Sequence, residues 1–326
     1  MKTQNLIKRN LLLLVLFLFS LNSFSQTVFA DEKANYDGVK KIVVEGRFCD
    51  VTLLGENRED VKFVGIIKGV SRNGSSYKIN HRLEGSILRV WIESPRTSWG
   101  NIDASLQFLV PTQMEIDVKN SSGDVYCENI SSDYTKIHAS SGDVNVKNII
   151  SDLEVITSSG EISLYEIKGD LNSQSSSGNH EYNKVAGNVK CKATSGDIEM
   201  VNVIGNISSR TSSGNQEFDK VEGQIKSISS SGNVGILNSK TILNLTSSSG
   251  NLRGQGLVLL GESYFKATSG DVSMNLLNDF EQLSFDLSAS SGSLRAGNRK
   301  GDDNLYLKSG EIWVHGKTSS GNQTFK

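Results

Sequence analysis

The sequence predicts an all-β protein: a parallel β-helix, or β-solenoid, of about 18 residues per coil, preceded by a strand-rich capping segment. Three observations predict it. A short motif, SSG followed by Asp, Asn or Glu, recurs along the chain; its glycines are Gly123, Gly142, Gly160, Gly178, Gly196, Gly214, Gly232, Gly250, Gly270, Gly292 and Gly310. Six consecutive steps between them are 18 residues long. The apolar residues between glycines fall with period 2, as in strands with one buried face.

Each coil justifies its own elements. Residues two and four after the glycine are apolar in most coils, as in Val144 and Val146, Ile162 and Leu164, Ile198 and Met200. Further apolar columns stand at +7 (Ile149, Ile167, Val185, Val203) and +11 (Leu153, Leu171, Val189, Ile207). Helices of ten or more residues do not fit between turns so close together. A half-repeat adds Gly169, Gly187, Gly205 and Gly223, so one coil has at least two corners. Glycine suits a corner that needs positive φ, and neighbouring serines can bond the turn backbone. The array holds no proline, as uninterrupted ladders require; Pro95 and Pro111 both precede it. Asn179, Asn215, Asn233 and Asn251 share the +1 column and form the candidate surface ladder. Small residues, Thr157 to Ser247, share the +15 column, which is expected to join the ladder as contact surface. His180 and Gln216 fall at +2, so that column is expected to be incompletely buried.

The flanks follow. Residues 1–30 read as an export signal: Lys2, Lys8 and Arg9, then the apolar run Leu11 to Phe19, then Val28-Phe29-Ala30 as the cleavage site. The run is too short for a membrane span, which takes about 20 residues. Losing three cations moves the formal charge from −2 to −5. That balance gives no electrostatic case for nucleic acid or an anionic membrane. Residues 31–111 alternate irregularly and are assigned to cap the open edge of the solenoid, which spans 112–326. At the other end, the last coil is expected to be an open edge guarded by Lys317 and Lys326.

The order of signal peptide, "G-x-DVTL" step, "FLVPTQMEIDVKNSSGDV" and serial SSGD/N coils resembles the bacterial putative-adhesin family of β-strand-repeat proteins, a domain of unknown function. The resemblance covers residues 39–326. It implies an extracytoplasmic β-helix and carries no catalytic residues.

The chemistry is read by elimination. Asp124, Asp143 and Glu161 stack at one corner, but Asn replaces the carboxylate in four coils. Calcium cages favour several carboxylates, so no metal or other cofactor is expected. Polysaccharide lyases and hydrolases use β-helices with a cleft and carboxylates of divergent pKa; coils this short build no cleft, and stacked identical carboxylates share one environment. His81, His138, His180 and His315 show no ligand spacing. Cys49, Cys127 and Cys191 are read as unbridged, the latter two lying several coils apart. Trp91, Trp99 and Trp313 could stack on sugars, with Trp91 read as core and Trp99 as a loop residue. The favoured reading is an exported, non-enzymatic, monomeric rod that presents a rigid repetitive surface to an extracellular polymer, surface glycan or protein. The alternatives are a carbohydrate-active β-helix enzyme and a structural element of the envelope.

Overall fold

The structure is a computed structural model that describes residues 26–71, 74–96 and 100–326. Most of the segment read as an export signal, residues 1–25, lies outside the described residues, as does Trp99.

The described chain forms 28 strands and two short 3-10 turns. One turn of the coil, here called a rung, pairs in parallel with the rung 18 residues later: Leu171 stands over Val189, and Val189 over Ile207. All three face inward at no more than 2% exposure. Each rung is three-cornered. The first corner is the motif glycine. The second is a residue in the left-handed region, from Asn129 and Asn148 to Lys220 and Asn238, with φ between 45° and 62°. The third is the half-repeat glycine.

The glycine requirement is steric as well as conformational. Gly142 has φ of 125°, and a Cβ there would lie 2.2 Å from the carbonyl oxygen of Gly123 on the rung before. The same close approach links the successive motif glycines through Gly270. Glycine is the one residue that lets backbones stack this tightly at a turn.

The core is thin, so ring and small side chains alternate across it. Tyr182 is flanked by Ser173 and Cys191, and the Phe218 rung by Ser209 and Ser227; all six are buried. The +15 column is buried too, which corrects its assignment to the contact surface. Its hydroxyls close the turn: Thr157 Oγ1 donates to the Gly160 carbonyl at 3.4 Å, and Thr211 Oγ1 to that of Gly214 at 3.3 Å.

Both ends depart from the order of the chain. At the start, strands Lys41–Arg47 and Asp50–Glu56 form a rung of their own. It sits between the later residues Ile87–Glu93 and Gly100–Pro111 on one side and Glu115–Cys127 on the other, all in parallel. The parallel ladder therefore reaches beyond residue 112 into the segment read as a cap. Capping proper falls to antiparallel strands: Thr27–Asp37 on Asp60–Ser71, Asp60–Ser71 on Gly100–Pro111, and Lys78–Glu84 on Ile87–Glu93. The cleavage site expected at Ala30 falls inside the first of these: Ala30 pairs with Ile67, and Phe29 stacks on Tyr77 at 5.7 Å.

The far end mirrors this. The last residues, Ile312–Ser320 and Gln323–Phe325, insert between the rung at 263–276 and the rung at 283–296. Antiparallel strands Arg299–Gly301 and Asn304–Leu307 then close the ladder. Lys317 is thus interior to the ladder, paired beside Lys266 and Ser288, and guards no edge. A parallel edge left open would offer unpaired amides and carbonyls to another chain, and the hairpin removes them. The glycine column follows space: Gly321 lies between Gly270 and Gly292, while Gly310 leaves the column and abuts the backbone of Gln282.

Candidate binding surface

The corner ladder is built by hydrogen bonds along the rod axis. Asp124 N–H donates to Asp50 Oδ1 at 3.0 Å, Asp143 N–H to Asp124 Oδ1 at 2.9 Å, and Glu161 N–H to Asp143 Oδ1 at 2.9 Å. The staircase resumes at Asn179, whose Oδ1 accepts from Asp197 N–H at 3.0 Å. It continues through Asn215, Asn233 and Asn251 to Asp271, Asn322 and Ser293. Asn179, Asn215 and Asn233 are exposed and Asn251 is half-buried, but each has its side-chain carbonyl committed to the next rung's backbone. This explains the Asp-or-Asn rule after the glycine: both supply one Oδ1 at the right reach, charged or not. A second staircase runs along the half-repeat corner, from Asp152 through Asp170, Asn188 and Asn206 to Gln224. The sequence holds its signal, a short polar residue after each half-repeat glycine.

Candidate chemistry is dispersed. His138 bonds Glu154 at 2.8 Å and His315 bonds Glu262 at 2.9 Å, at opposite ends of the repeats. His81 meets the Tyr36 hydroxyl in the N-terminal cap. His180 is buried at 1% exposure, and so is Gln216, which corrects the expectation of an incompletely buried +2 column. The reason is a set of inward hydroxyls. His180 Nε2 donates to Ser175 Oγ at 2.7 Å while the Ser175 hydroxyl donates to the Gly178 carbonyl. His180 Nδ1 then accepts from the Tyr182 hydroxyl at 2.5 Å, with the Cys191 thiol 3.2 Å away. Gln216 and Gln323 repeat the device, donating from Nε2 to Thr211 and Thr318.

Burial sets the protonation of this cluster. Desolvation lowers His180 from 6.5 to about 4 and raises the Cys191 thiol to about 11. Neutral imidazole beside neutral thiol, sealed from solvent, is a core network and holds no nucleophile. Cys49 and Cys127 are also free and buried. Among the described residues no group of three His, Cys, Asp or Glu side chains converges as a metal site.

What remains open is the broad face between the half-repeat corner and the motif glycine. A shallow groove of about 530 Å³ runs across its rungs, lined by Asn172, Lys190, Ser208 and Lys226. A second, of about 440 Å³, lies further along, beside Tyr264, Lys266, His315 and Lys317. Tyr264 stacks on His315 at 4.8 Å and His315 lies parallel to Trp313 at 5.9 Å, so Trp313 belongs to an outer aromatic row. Trp91 is half-buried, lining a smaller groove with Arg82 and Arg89. The same rungs carry Glu181, Glu199 and Glu217 stacked on a different strand row. The charges thus segregate by face while the total stays near zero.

Residues 95–220 and 203–324 each match the model of the Toastrack DUF4097 family. The chain belongs to that family. No curated protein matches it significantly. Among solved structures, it is similar to a putative adhesin from Bacteroides fragilis NCTC 9343. The identity is 17%, covering 75% of this chain and 97% of that one, with a TM-score of 0.42. A putative lipid binding protein from Parabacteroides distasonis ATCC 8503 is 14% identical, covering 76% and 97%, with a TM-score of 0.40. A putative cell adhesion protein from Clostridium sporogenes ATCC 15579 is 9% identical, covering 91% and 99%, with a TM-score of 0.18. The parallel rungs of the Toastrack solenoid run from the one built by Ile87–Glu93 and Gly100–Pro111 to the one at 283–296. Among the described residues no helix is long and apolar enough to cross a membrane.

Proposed function

We propose that this Toastrack protein is an exported, non-enzymatic rod that holds an extracellular polymer along the broad outer face of its solenoid. The observation that carries this reading is the repetitive lining of the grooves: equivalent outward positions recur at one strand spacing over successive rungs, all polar in the first groove, with Lys190 and Lys226 two rungs apart. A ligand with its own short repeat can meet such a surface many times, and weak contacts then add. The corner ladder serves the fold, since its carbonyls bond the backbone; this moves the binding role from Asn179, Asn215, Asn233 and Asn251 to the face beside them. Export is read from the charged and apolar N-terminus. A cut between Ser25 and Gln26, with Ser23 and Ser25 as the small residues, leaves strand Thr27–Asp37 whole.

Nothing among the described residues favours the enzyme reading. Asp124 and Asp143 sit in one ladder with equivalent partners, which gives no basis for opposed acid and base roles. The test is a screen of the purified protein against surface polysaccharides and matrix proteins, with product analysis of each bound polysaccharide. Saturable binding with the polymer recovered intact is expected. Time-dependent chain shortening would replace this reading with a lyase or hydrolase. Absence of any binding, with filaments in light scattering, would replace it with an assembly role.

A further inference from the structure

The broad face is predominantly basic, with Glu262 beside His315 towards one end. Two outward rows cross it. One runs Asn172, Lys190, Ser208, Lys226, Asn244, Tyr264 and on to His315. The other holds Lys192, Arg210, Ile228, Thr246, Lys266 and Lys317. Lys190, Lys192, Arg210, Lys226, Lys266 and Lys317 are all exposed, and none makes an ion pair among the described residues. Between Glu154 and Asp286 no carboxylate interrupts either row. Where the stripe begins, the half-repeat corner beside it changes from Asp152 and Asp170 to Asn188, Asn206 and Gln224. On the motif corner Asp197 and Asp271 remain, each with Oδ1 accepting a backbone amide. A third row of exposed hydroxyls, Thr194, Ser212, Ser230, Ser248, Thr268 and Ser319, flanks the cations.

We propose that this stripe binds an acidic polysaccharide, a chain of sugars bearing carboxylate or sulfate groups, laid along the rod axis. The proposal rests on the polymer-binding reading above and names the polymer's class and the residues that hold it. Unpaired cations in rows attract a polyanion and gain from displacing its counterions. The stripe spans six rungs, about 24 Å at the strand spacing, enough to engage several sugars at once. One rung's advance, about 4.8 Å, is close to that of one sugar in an extended glycan. Hydroxyls and amides beside the cations suit sugar hydroxyls, and the Tyr264 ring at one end, 44% exposed, offers a face for a pyranose. Duplex nucleic acid fits less well, because its phosphates step by about 3.4 Å along each strand. Nor are aromatic rings interleaved among Lys190, Lys192, Arg210 and Lys226 for bases to stack on.

The experiment measures binding of the signal-free chain to immobilised polygalacturonate and heparin, with dextran and duplex DNA alongside, at low and physiological salt. The central variant is Lys190→Glu/Lys192→Glu/Arg210→Glu; Glu199→Gln/Glu217→Gln on the acidic face is its control. All five positions are exposed, and equal melting temperatures establish that each variant is folded. Binding to at least one acidic polysaccharide, weakened at least about tenfold by the triple variant and by salt, and untouched by the control, is the expected result. Carboxylate against sulfate is decided by which of the two probes binds more tightly. Duplex DNA bound more tightly than either glycan would overturn the assignment. So would rod–rod association in light scattering that both variants abolish, because the basic stripe would then meet the acidic row of a second copy. Binding of dextran or a protein that ignores the triple variant sinks this inference and leaves the polymer-binding rod standing. Binding of nothing sinks both.

Discussion

His180→Gln should make the rungs around residue 180 insensitive to mild acid. In the wild type the imidazole is enclosed by Ser173, Ser175, Tyr182 and Cys191, with Ile162 and Ile198 above and below it in the column. No carboxylate is among these neighbours, so nothing there favours the imidazolium. Burial holds the folded-state value at about 4 against 6.5 for the free side chain. Because the folded value is the lower one, the unfolded chain takes up more protons in between. The stabilising contribution is complete above about pH 6.5 and is lost as the pH falls toward 4. The span corresponds to about 3 kcal/mol, of which about 2 kcal/mol is gone by pH 5. Gln is a native resident of this column: Gln216 and Gln323 each donate to the +15 hydroxyl that Ser175 supplies to His180. The variant should therefore fold, and it has no proton to gain. Hydrogen exchange suits the measurement, since repeat arrays open locally as well as globally. Protection of strands Leu171–Ser177 and Val189–Ser195, corrected for intrinsic rates, should fall between pH 7 and 5 in the wild type relative to the variant. Parallel profiles for the two proteins down to pH 4.5 would refute the claim that His180 is buried neutral.

Three further outcomes are expected. Val189→Asp places an unpaired carboxylate in the +11 column between Leu171 and Ile207 and should destabilise by several kcal/mol, read as a large drop in melting temperature. Asn233→Ala removes the acceptor for Asn251 N–H and should cost about 1 kcal/mol, whereas Asn233→Asp keeps the acceptor and much of the stability; exchange of the Asn251 amide separates them. N-terminal sequencing of the exported protein should begin at Gln26; a start at Asp31 would mean that Thr27–Ala30 is dispensable to the cap.

The repeat was legible because a solenoid writes its geometry locally. Strand alternation, glycine at corners that admit no Cβ, and Asp or Asn one residue later are each set by contacts to the same position one rung away. The register from Leu171 to Ile207 follows directly. Two features were illegible for opposite reasons. At the ends, contacts join rungs that are not consecutive, so no period reports them. The one trace is the disturbed spacing from Gly270 to Gly321, which becomes regular only when Gly321 is placed between Gly270 and Gly292. In the core, polarity misleads: His180 and Gln216 read as incompletely buried because their partners, Ser175 and Thr211, stand five residues earlier in a column of small residues that reads as contact surface.

The candidate site was hidden by summation. A formal charge of −2, or −5 without the three N-terminal cations, gives no sign of a basic face, yet the faces of a solenoid are sampled at fixed offsets within each coil. Reading offsets +12 and +14 together collects Lys190, Lys192, Arg210 and Lys226, and Lys266 joins them once the two extra residues of the Gly250 coil are allowed for, while offset +3 collects Glu181, Glu199 and Glu217. Net charge governs solubility, but a polymer lying along one face meets only that face's charge, within a screening length of about 8 Å at physiological salt. The Glu column lies on a different face of the rungs, so charges that cancel in the total need not cancel for the ligand. For a repeat protein the informative electrostatic quantity is therefore the charge per column. By that measure the asparagine ladder, the most conspicuous column in the sequence, is neutral in four positions and already bonded to the backbone. The inconspicuous column beside it is the one left with unspent valence toward a partner.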